Sequence, residues 1–295
     1  MDLLTQMATF VRIVEAGTLS AAARAERLSL PAVSRQLRAM EEDLGVTLAI
    51  RTTRALTITD GGRKWYAACV RVLRDVADAK SAARAPGRVE GRLVISAPHT
   101  LGMSHVLPRI RSLLGKHPKL SVDLRLEDHV VNLVAEGIDV AIRGGVIPPD
   151  SDAVVALPLM TFSRVAVAAP SYLRKHRAPR DPDDLERHEL LVQIAAACPL
   201  DTWRFRRAAE EATTSVTARF RSTTPTALRE AALAGMGVAL LPEWLVEGDI
   251  AAGRLRRLLS AWTSGPVSAW VVFRLEVRRS PPLRAFLDEM RVGTK

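Results

Sequence analysis

A chain of 295 residues has room, at about 150 residues per domain, for two domains and a sizeable buried core. With 48% of its residues hydrophobic, 25% charged and 17 each of Gly and Pro, it has the make-up of an ordinary globular protein and is not collagen-like, low-complexity or largely disordered. Its 42 basic residues outnumber 32 acidic ones for a formal net charge of +10, so a polyanionic partner is expected.

Two cysteines, Cys69 and Cys198, cannot build a disulfide framework, and neither sits in a zinc-ligand spacing, which fits a reducing compartment. Met1-Asp2-Leu3-Leu4 lacks the basic start of a signal peptide, and no apolar run approaches the roughly 18 residues of a membrane span. A cytoplasmic location without membrane contact is therefore expected. Of the basic residues 36 are Arg and 6 Lys, a choice that suits phosphate and guanine recognition and that genome base composition explains equally well. Charge concentrates between residues 51 and 74, where Arg51, Arg54, Arg63, Lys64, Arg71 and Arg74 face Asp60 alone.

Met7, Phe10, Val11 and Val14 fall at helical spacing and predict a first helix that Gly17 ends. Thr18 caps a short Ala-rich second helix, Leu19 to Arg27, and Leu28-Ser29 forms the turn. Ser29 then caps a third helix with Pro31 in its first turn, whose apolar stripe is Val33, Leu37, Met40 and Leu44 and whose stop is Gly45. Three short helices with a tight turn between the last two make a helix-turn-helix. Opposite that stripe lie Arg35, Pro31, Ala32 and Arg38, and the N-terminal half adds Ser34 and Gln36 as donors for phosphates and base edges. Glu41, Glu42 and Asp43 at the other end would repel a phosphate backbone, so the helix is expected to enter a major groove N-terminus first. A solvated polar face gives the same pattern for either arginine taken alone.

From Val46 to Thr59 the chain is rich in β-branched residues and predicts a two-stranded wing with Arg51 and Arg54 at its tip, placed to reach phosphates or the minor groove. Thr59 or Asp60 caps a long helix from Gly61 to Ala85 in which Trp65, Cys69, Val72, Val76, Ala79 and Ala83 step by fours and threes. Such a seam predicts pairing with a second copy of the chain, with packing on its own domain as the alternative.

These residues carry a resemblance. The run Ala8-Thr9-Phe10-Val11, Gly17-Thr18-Leu19-Ser20-Ala21-Ala22-Ala23, Ser29-Leu30-Pro31-Ala32-Val33-Ser34-Arg35-Gln36-Leu37, Leu44-Gly45-Val46, Arg51-Thr52-Thr53-Arg54 and Thr59-Asp60-Gly61-Gly62 resembles the winged helix-turn-helix of LysR-type transcriptional regulators. The likeness covers some sixty residues with many fixed spacings. Leu30 stands where the family usually has a polar residue that contacts DNA, and Ala49 where a Phe commonly buttresses the wing. The resemblance implies a DNA interface of Ser29, Pro31, Ala32, Ser34, Arg35, Gln36, Arg38, Arg51, Thr53 and Arg54, a dimer or tetramer, and contact with RNA polymerase.

Ala85-Pro86-Gly87 breaks the long helix, and from Gly91 short apolar strands alternate with helices, the pattern of a mostly parallel sheet. Strands at 93–96, 121–126 and 139–142 with helices at 103–114 and 130–136 predict a βαβαβ unit. A second series runs through strands at 165–168, 190–194, 216–220 and 238–241 with a helix at 226–233, and a strand at 267–273 and a helix at 282–290 return to the first lobe. The expected fold is α/β with an all-α-rich N-terminal domain: a winged helix-turn-helix over 1–60, a linker and dimerisation helix over 61–87, and a two-lobed effector domain over 91–295. Its first lobe holds 91–161 and 267–295, and its second 162–266. The resemblance agrees, since the family's effector domain looks like a periplasmic binding protein with its ligand between the lobes.

Ser96-Ala97-Pro98-His99-Thr100 and Ser222-Thr223-Thr224-Pro225-Thr226 each leave a strand and enter a helix, offering hydroxyls and backbone N–H groups to a carboxylate. Arg143, followed by Gly144, adds a cation at the carboxyl end of the sheet. Ordinary N-capping explains each Ser or Thr equally well. By resemblance Ser96, Pro98, His99, Thr100, Arg143, Gly144, Thr223 and Thr224 line an effector pocket. No Gly-x-Ser-x-Gly, P-loop, Gly-x-Gly-x-x-Gly or His-Glu-x-x-His occurs, so neither catalysis nor a cofactor is expected. The six histidines read as surface or capping residues rather than metal ligands, and Cys198 reads as packing ahead of a redox sensor. The reading is a regulator whose grip on a partly palindromic operator is controlled by a small anionic effector. A cytoplasmic solute-binding protein without specific DNA binding is the alternative.

Overall fold

The computed structural model describes residues 2–51, 56–84, 87–145, 153–195, 198–199 and 202–291. It divides into a unit of Met1–Gly91 with Asn132–Ile138 and a unit of Arg92–Val131 with Asp139–Lys295. Among the described residues no helix is long and apolar enough to cross a membrane.

In the first unit α1 spans Leu3–Ala16, capped by the Asp2 carboxylate on the Leu4 N–H and closed by Gly17 at φ +68°. A residue there must enter the left-handed region, which glycine does without a side-chain clash. Helix α2 covers Leu19–Glu26, with the Thr18 hydroxyl accepting from Ala21 N–H at 3.2 Å, and α3 covers Leu30–Leu44, with Ser29 accepting from Ala32 N–H and Pro31 in the first turn. Phe10, Ile13, Val33, Leu37, Leu48 and Cys69 are fully buried in one core, where each large aliphatic or aromatic side chain contributes about 1.5–3 kcal/mol by leaving water. The wing pairs β1, Ala49–Arg51, antiparallel with β2, Leu56–Ile58. Helix α4, Asp60–Arg84, starts where the Thr59 hydroxyl accepts from Gly62 N–H at 2.9 Å.

The first half of the expected dimer seam is used inside the chain, which corrects the sequence expectation. Cys69 lies at the centre of the helical core with Trp65 and Val72 packed beside it, so these three side chains already have their apolar partners. Val76 remains half-buried and Ala79 exposed, whereas the Ala83 side chain lies outside the described residues.

The second unit opens with β3, Gly91–Ala97, followed by one continuous helical stretch: α5 at His99–Leu101, a π-turn at Gly102–Val106, and α6 at Leu107–Lys116. Gly102 packs closely, since a Cβ there would stand 2.3 Å from Leu126 Cδ2, a side-chain end that would have to move. After β4, Leu120–Leu126, the helix expected at 130–136 is absent. Asn132 Oδ1 instead accepts from the Val134 and Ala135 N–H groups while Glu136 accepts from Asn132 N–H, and these local bonds favour a turn. Strand β5, Val140–Gly144, leads to the 15-residue β6, Val154–Ala168, then α7, Pro170–Leu173, and a 3-10 turn at Pro182–Arg187. Strand β7, Leu190–Ala195, meets β8, Cys198–Pro199, and a hairpin follows from β9, Thr202–Arg207, and β10, Glu210–Ser215. Then come β11, Ala218–Ser222, α8, Pro225–Leu233, β12, Val238–Pro242, and α9, Glu243–Ala251. Strands β13, Arg256–Leu258, and β14, Pro266–Arg274, precede a 3-10 turn and the closing helix α10, Pro281–Arg291.

The strands follow the order β11-β7-β12-β6-β14-β5-β3-β4. Strand β6 serves both lobes, pairing with β14 from Val154 to Ser163 and with β12 from Arg164 to Val167. Its antiparallel pairings make the sheet mixed. In the second lobe successive residues of β12 alternate faces, Val238 and Leu240 joining Trp203, Phe205 and Trp262, and Ala239 and Leu241 joining Leu228 and Val246.

Candidate functional site

Helix α3 has one dry face and one bare one. Val33, Leu37 and Met40 are buried, while Pro31, Arg35 and Arg38 are exposed and Ala32 and Ser34 half-buried. Neither Arg35 nor Arg38 has a hydrogen-bond or ion-pair partner among the described residues, so both guanidinium forks point at solvent with all their donors available. Gln36 corrects the sequence expectation. It is 8% exposed, because at helical spacing it stands about 40° from Met40 and about 100° from Arg35, on the core side. Ser29 is exposed and serves the helix as its cap, and Leu30 is an exposed apolar side chain beside it.

Glu41, read from sequence as a residue that phosphates would repel, has a structural task that its spacing did not reveal. Its Oε1 accepts from Leu48 N–H at 2.8 Å and from Ala49 N–H at 3.1 Å, tying α3 to the root of the wing. The Thr59 hydroxyl closes the same root on Thr47 O at 2.7 Å, and Gly62 passes so close to Leu48 that a Cβ would lie 2.1 Å from its carbonyl oxygen. Ala49 is buried here. Thr53 and Arg54 lie outside the described residues, as does the Arg51 side chain. Of the other cations in the basic stretch, Arg63 donates to Ile58 O at 2.8 Å and pairs with Asp60, and Arg74 donates to Gly137 O at 3.0 Å.

In the second unit Thr100 meets the start of α8. Thr100, 4% exposed, holds its hydroxyl 3.3 Å from that of Thr224 and 3.0 Å from that of Thr226, so α5 and the start of α8 are joined by three hydroxyls. Thr226 belongs to the same Ser/Thr run as Thr223 and Thr224 and lies outside the set of residues expected to line the pocket. Ser96 is fully buried and accepts from Arg143 Nη2 at 2.8 Å, with Glu127 Oε2 at 3.4 Å from its hydroxyl. Arg143 Nη1 also donates to Ile142 O. Thr223 is exposed, its carbonyl accepting from Gln193 Nε2, and Gly144 is exposed at the end of β5. Pro98 is half-buried and His99 exposed. At the α5 end the expectation of an open donor is corrected, because His99 N–H already donates to Asp128 Oδ1 at 3.2 Å.

Next to the hydroxyl cluster the lobes also meet through rings. His105, in the π-turn, stands edge-on to Trp244 of α9 at 4.6 Å, and Trp244 meets Phe162 of β6 at 6.0 Å. Burial, with Arg109 adding its charge, lowers the His105 pKa, so the imidazole is neutral at pH 7. The Cys198 side chain lies outside the described residues.

Comparison with known proteins gives two family matches. Residues 4–63 match the bacterial regulatory helix-turn-helix proteins of the lysR family, and residues 86–293 match the LysR substrate binding domain. The HTH-type transcriptional regulator PtxR of Pseudomonas aeruginosa is 34% identical over 289 residues, covering 98% of this chain and 92% of that protein. The full-length structure of the Vibrio cholerae virulence activator AphB is 25% identical at a TM-score of 0.67, with all of both chains covered. The structure of CrgA, a LysR-type transcriptional regulator of Neisseria meningitidis, is 28% identical at a TM-score of 0.62, covering 97% of each chain.

Proposed function

The chain belongs to the LysR-type transcriptional regulators, a family of DNA-binding proteins that sense small effectors, and we propose which of its residues do each task. The N-terminal half of α3 enters the major groove, with Arg35 reading base edges, Arg38 and Ser34 holding the backbone, and Ser29, Pro31 and Ala32 lining the approach. Arg51, Thr53 and Arg54 of the wing reach phosphates or the minor groove. The observation that carries this reading is the pair of exposed guanidinium groups of Arg35 and Arg38, without a partner among the described residues, opposite the buried Val33, Leu37 and Met40. Arg35→Ala is expected to cost about 1–3 kcal/mol and to loosen sequence preference. Arg54→Ala weakens all sequences evenly and flattens the salt dependence. Fluorescence anisotropy on duplexes from the chain's own upstream region, at two salt concentrations, separates these outcomes. Equal losses on every sequence for both variants would reject α3 as the reading helix.

The effector sits between the lobes, against Ser96, Thr100, Arg143, Gly144, Thr223 and Thr224, with Pro98 and His99 at the rim. Arg143 is the supporting cation for a carboxylate, which would compete with Glu127 for the Arg143–Ser96 pair. A thermal-shift screen of aromatic and aliphatic carboxylates tests this, since a ligand of the folded state raises the melting temperature. No shift with any acid removes the anion reading and leaves the DNA reading intact.

The domain limits follow the same reading: a DNA-binding part over 1–60, a linker helix over 61–87, and an effector part over 91–295 divided into 91–161 with 267–295 and 162–266. Dimers form through the later turns of α4, where Val76, Ala79 and Ala83 continue the seam beyond Cys69, and such dimers can pair into tetramers. The protein acts in the cytoplasm, contacts RNA polymerase at its promoters and turns over no substrate, in keeping with a family of regulators rather than enzymes.

A further inference from the structure

A cavity of about 870 Å³ opens at one end of the second lobe, between α7, the starts of β7 and β11, and the last turn of α8. It is separate from the inter-lobe groups. Leu191 and Phe220 line it near the N-terminal ends of β7 and β11, whereas Gln193, Ser222 and Thr223 sit at the C-terminal ends of these parallel strands.

The cavity is cationic and has a firm floor. Arg174, Lys175 and Arg219 line it against a single acid, Glu189, which pairs with Arg219 at 3.3 Å. Arg174 and Lys175 have no ion-pair partner among the described residues, so two positive charges stand uncompensated. Tyr172, 4% exposed, accepts from Glu189 N–H at 3.0 Å and meets His188 Nδ1 at 3.1 Å, while its ring stacks on His176 at 4.4 Å and 17°. The His188 tautomer sets which of the two donates in the Tyr172–His188 bond. Burial, with His176 adding to it, lowers the His188 pKa. Beside the wall Gly237 packs on backbone, where a Cβ would lie 2.2 Å from Glu189 O, and Gly235 takes φ +73°. Phe220, Leu191 and the exposed thioether of Met236 supply apolar surface beside the charges.

We propose that this cavity is a second ligand site, for a small molecule that carries a phosphate monoester on a flat or apolar body. Its size falls in the range of sites for such molecules, about 300–1,000 Å³. A phosphate monoester is close to doubly charged at pH 7 and matches two uncompensated cations, and its three oxygens suit an arginine fork and a lysine together. A monocarboxylate leaves one of the charges unmatched.

Titration calorimetry on the full chain with phenyl phosphate, benzoate and phenol tests the proposal. Phenyl phosphate is expected to bind, benzoate more weakly and phenol not at all. Arg174→Glu and Lys175→Glu, both exposed and so neutral to folding, each weaken phenyl phosphate by about tenfold or more. The same ligands titrated into Arg143→Ala, which disables the proposed inter-lobe carboxylate site, leave only the binding that belongs to this cavity. With Arg143→Ala as the background, absence of phenyl phosphate binding, or benzoate binding as tight as phenyl phosphate, overturns the site. So does a change of mass in sedimentation on charge reversal without phenyl phosphate binding, which would mark the face as covered by a second copy of the chain.

Discussion

A single carboxylate decides how the wing is held. Glu41 Oε1 takes the N–H groups of both Leu48 and Ala49, two donors that lie against the buried root of the wing and have no strand beyond them to pair with. Glu41→Ala leaves both without a partner, and a buried donor deprived of its acceptor costs about 1–3 kcal/mol. Urea denaturation is expected to show that loss, with Glu41→Gln recovering part of it through its amide oxygen; an unchanged midpoint for Glu41→Ala would remove the tie. Gly62 is the steric counterpart. A methyl group there meets Leu48 O at 2.1 Å and Ile58 Cγ2 at 2.8 Å, neither of which is a flexible side-chain end, so Gly62→Ala is expected to cost about 1–3 kcal/mol in the same assay. Cys69 gives a third reading at this scale: burial pushes its thiol up to about 12, so iodoacetamide at pH 8 should leave it unlabelled in the folded chain and label it once urea unfolds the domain. Labelling of the folded chain at the rate of a free thiol would place Cys69 at the surface instead.

Among elements, α8 and α9 show how an ion network stands in for apolar packing. Asp249 of α9 is 1% exposed and accepts from Arg229 of α8 through Nε and Nη2 and from Arg254 through Nε and Nη2. Burial on its own would raise its pKa, but the two guanidinium groups outweigh it and hold the carboxyl below its ordinary value. A carboxylate so depressed stabilises the fold fully above its unfolded-state pKa, about 3.9, and loses that contribution as the pH falls through the folded value. The unfolding free energy of the wild-type chain in urea should therefore fall steeply below about pH 4, and Asp249→Asn should lower it by about 3 kcal/mol at pH 7 while flattening that acid limb. An acid limb as steep in Asp249→Asn as in wild type would assign the acid sensitivity to other carboxyls. The sequence carries the helices whose stripes and caps agree, as in α1 to α3, but not those without a stripe: α9 places Trp244, Leu245 and Val246 side by side with Gly248 inside. The hairpin β9–β10 was equally hidden, although Trp203 and Phe205 alternate with arginines, because its turn carries Ala208 at φ +50° in place of Gly or Asn. In the candidate site the arginine face of α3 was legible from spacing, whereas Gln36 was misplaced by one helical face and the contacts of Thr100 with Thr226, more than a hundred residues away, have no local signature.

At the scale of the whole molecule, two units with separate cores imply two cooperative transitions. The helical unit buries Phe10, Ile13 and Leu37 around Cys69, and the α/β unit buries its own clusters on both faces of β12. A ligand stabilises only what folds to hold it, by about 2.7 kcal/mol at a free concentration one hundred times its Kd. Calorimetry of the full chain should therefore resolve two endotherms: operator duplex should move the one that belongs to residues around α3, and a bound carboxylate the one that belongs to the cleft. Thr100→Val refines the second assignment. Removing this hydroxyl deprives Thr224 and Thr226 of their partner across the lobes while leaving the cores of both units untouched, so it should weaken carboxylate binding by about tenfold and lower the second endotherm alone. If operator and carboxylate instead shift a single endotherm together, the units unfold as one body, and coupling between the two ligands runs through a shared cooperative core rather than through a change in how one folded unit holds the other.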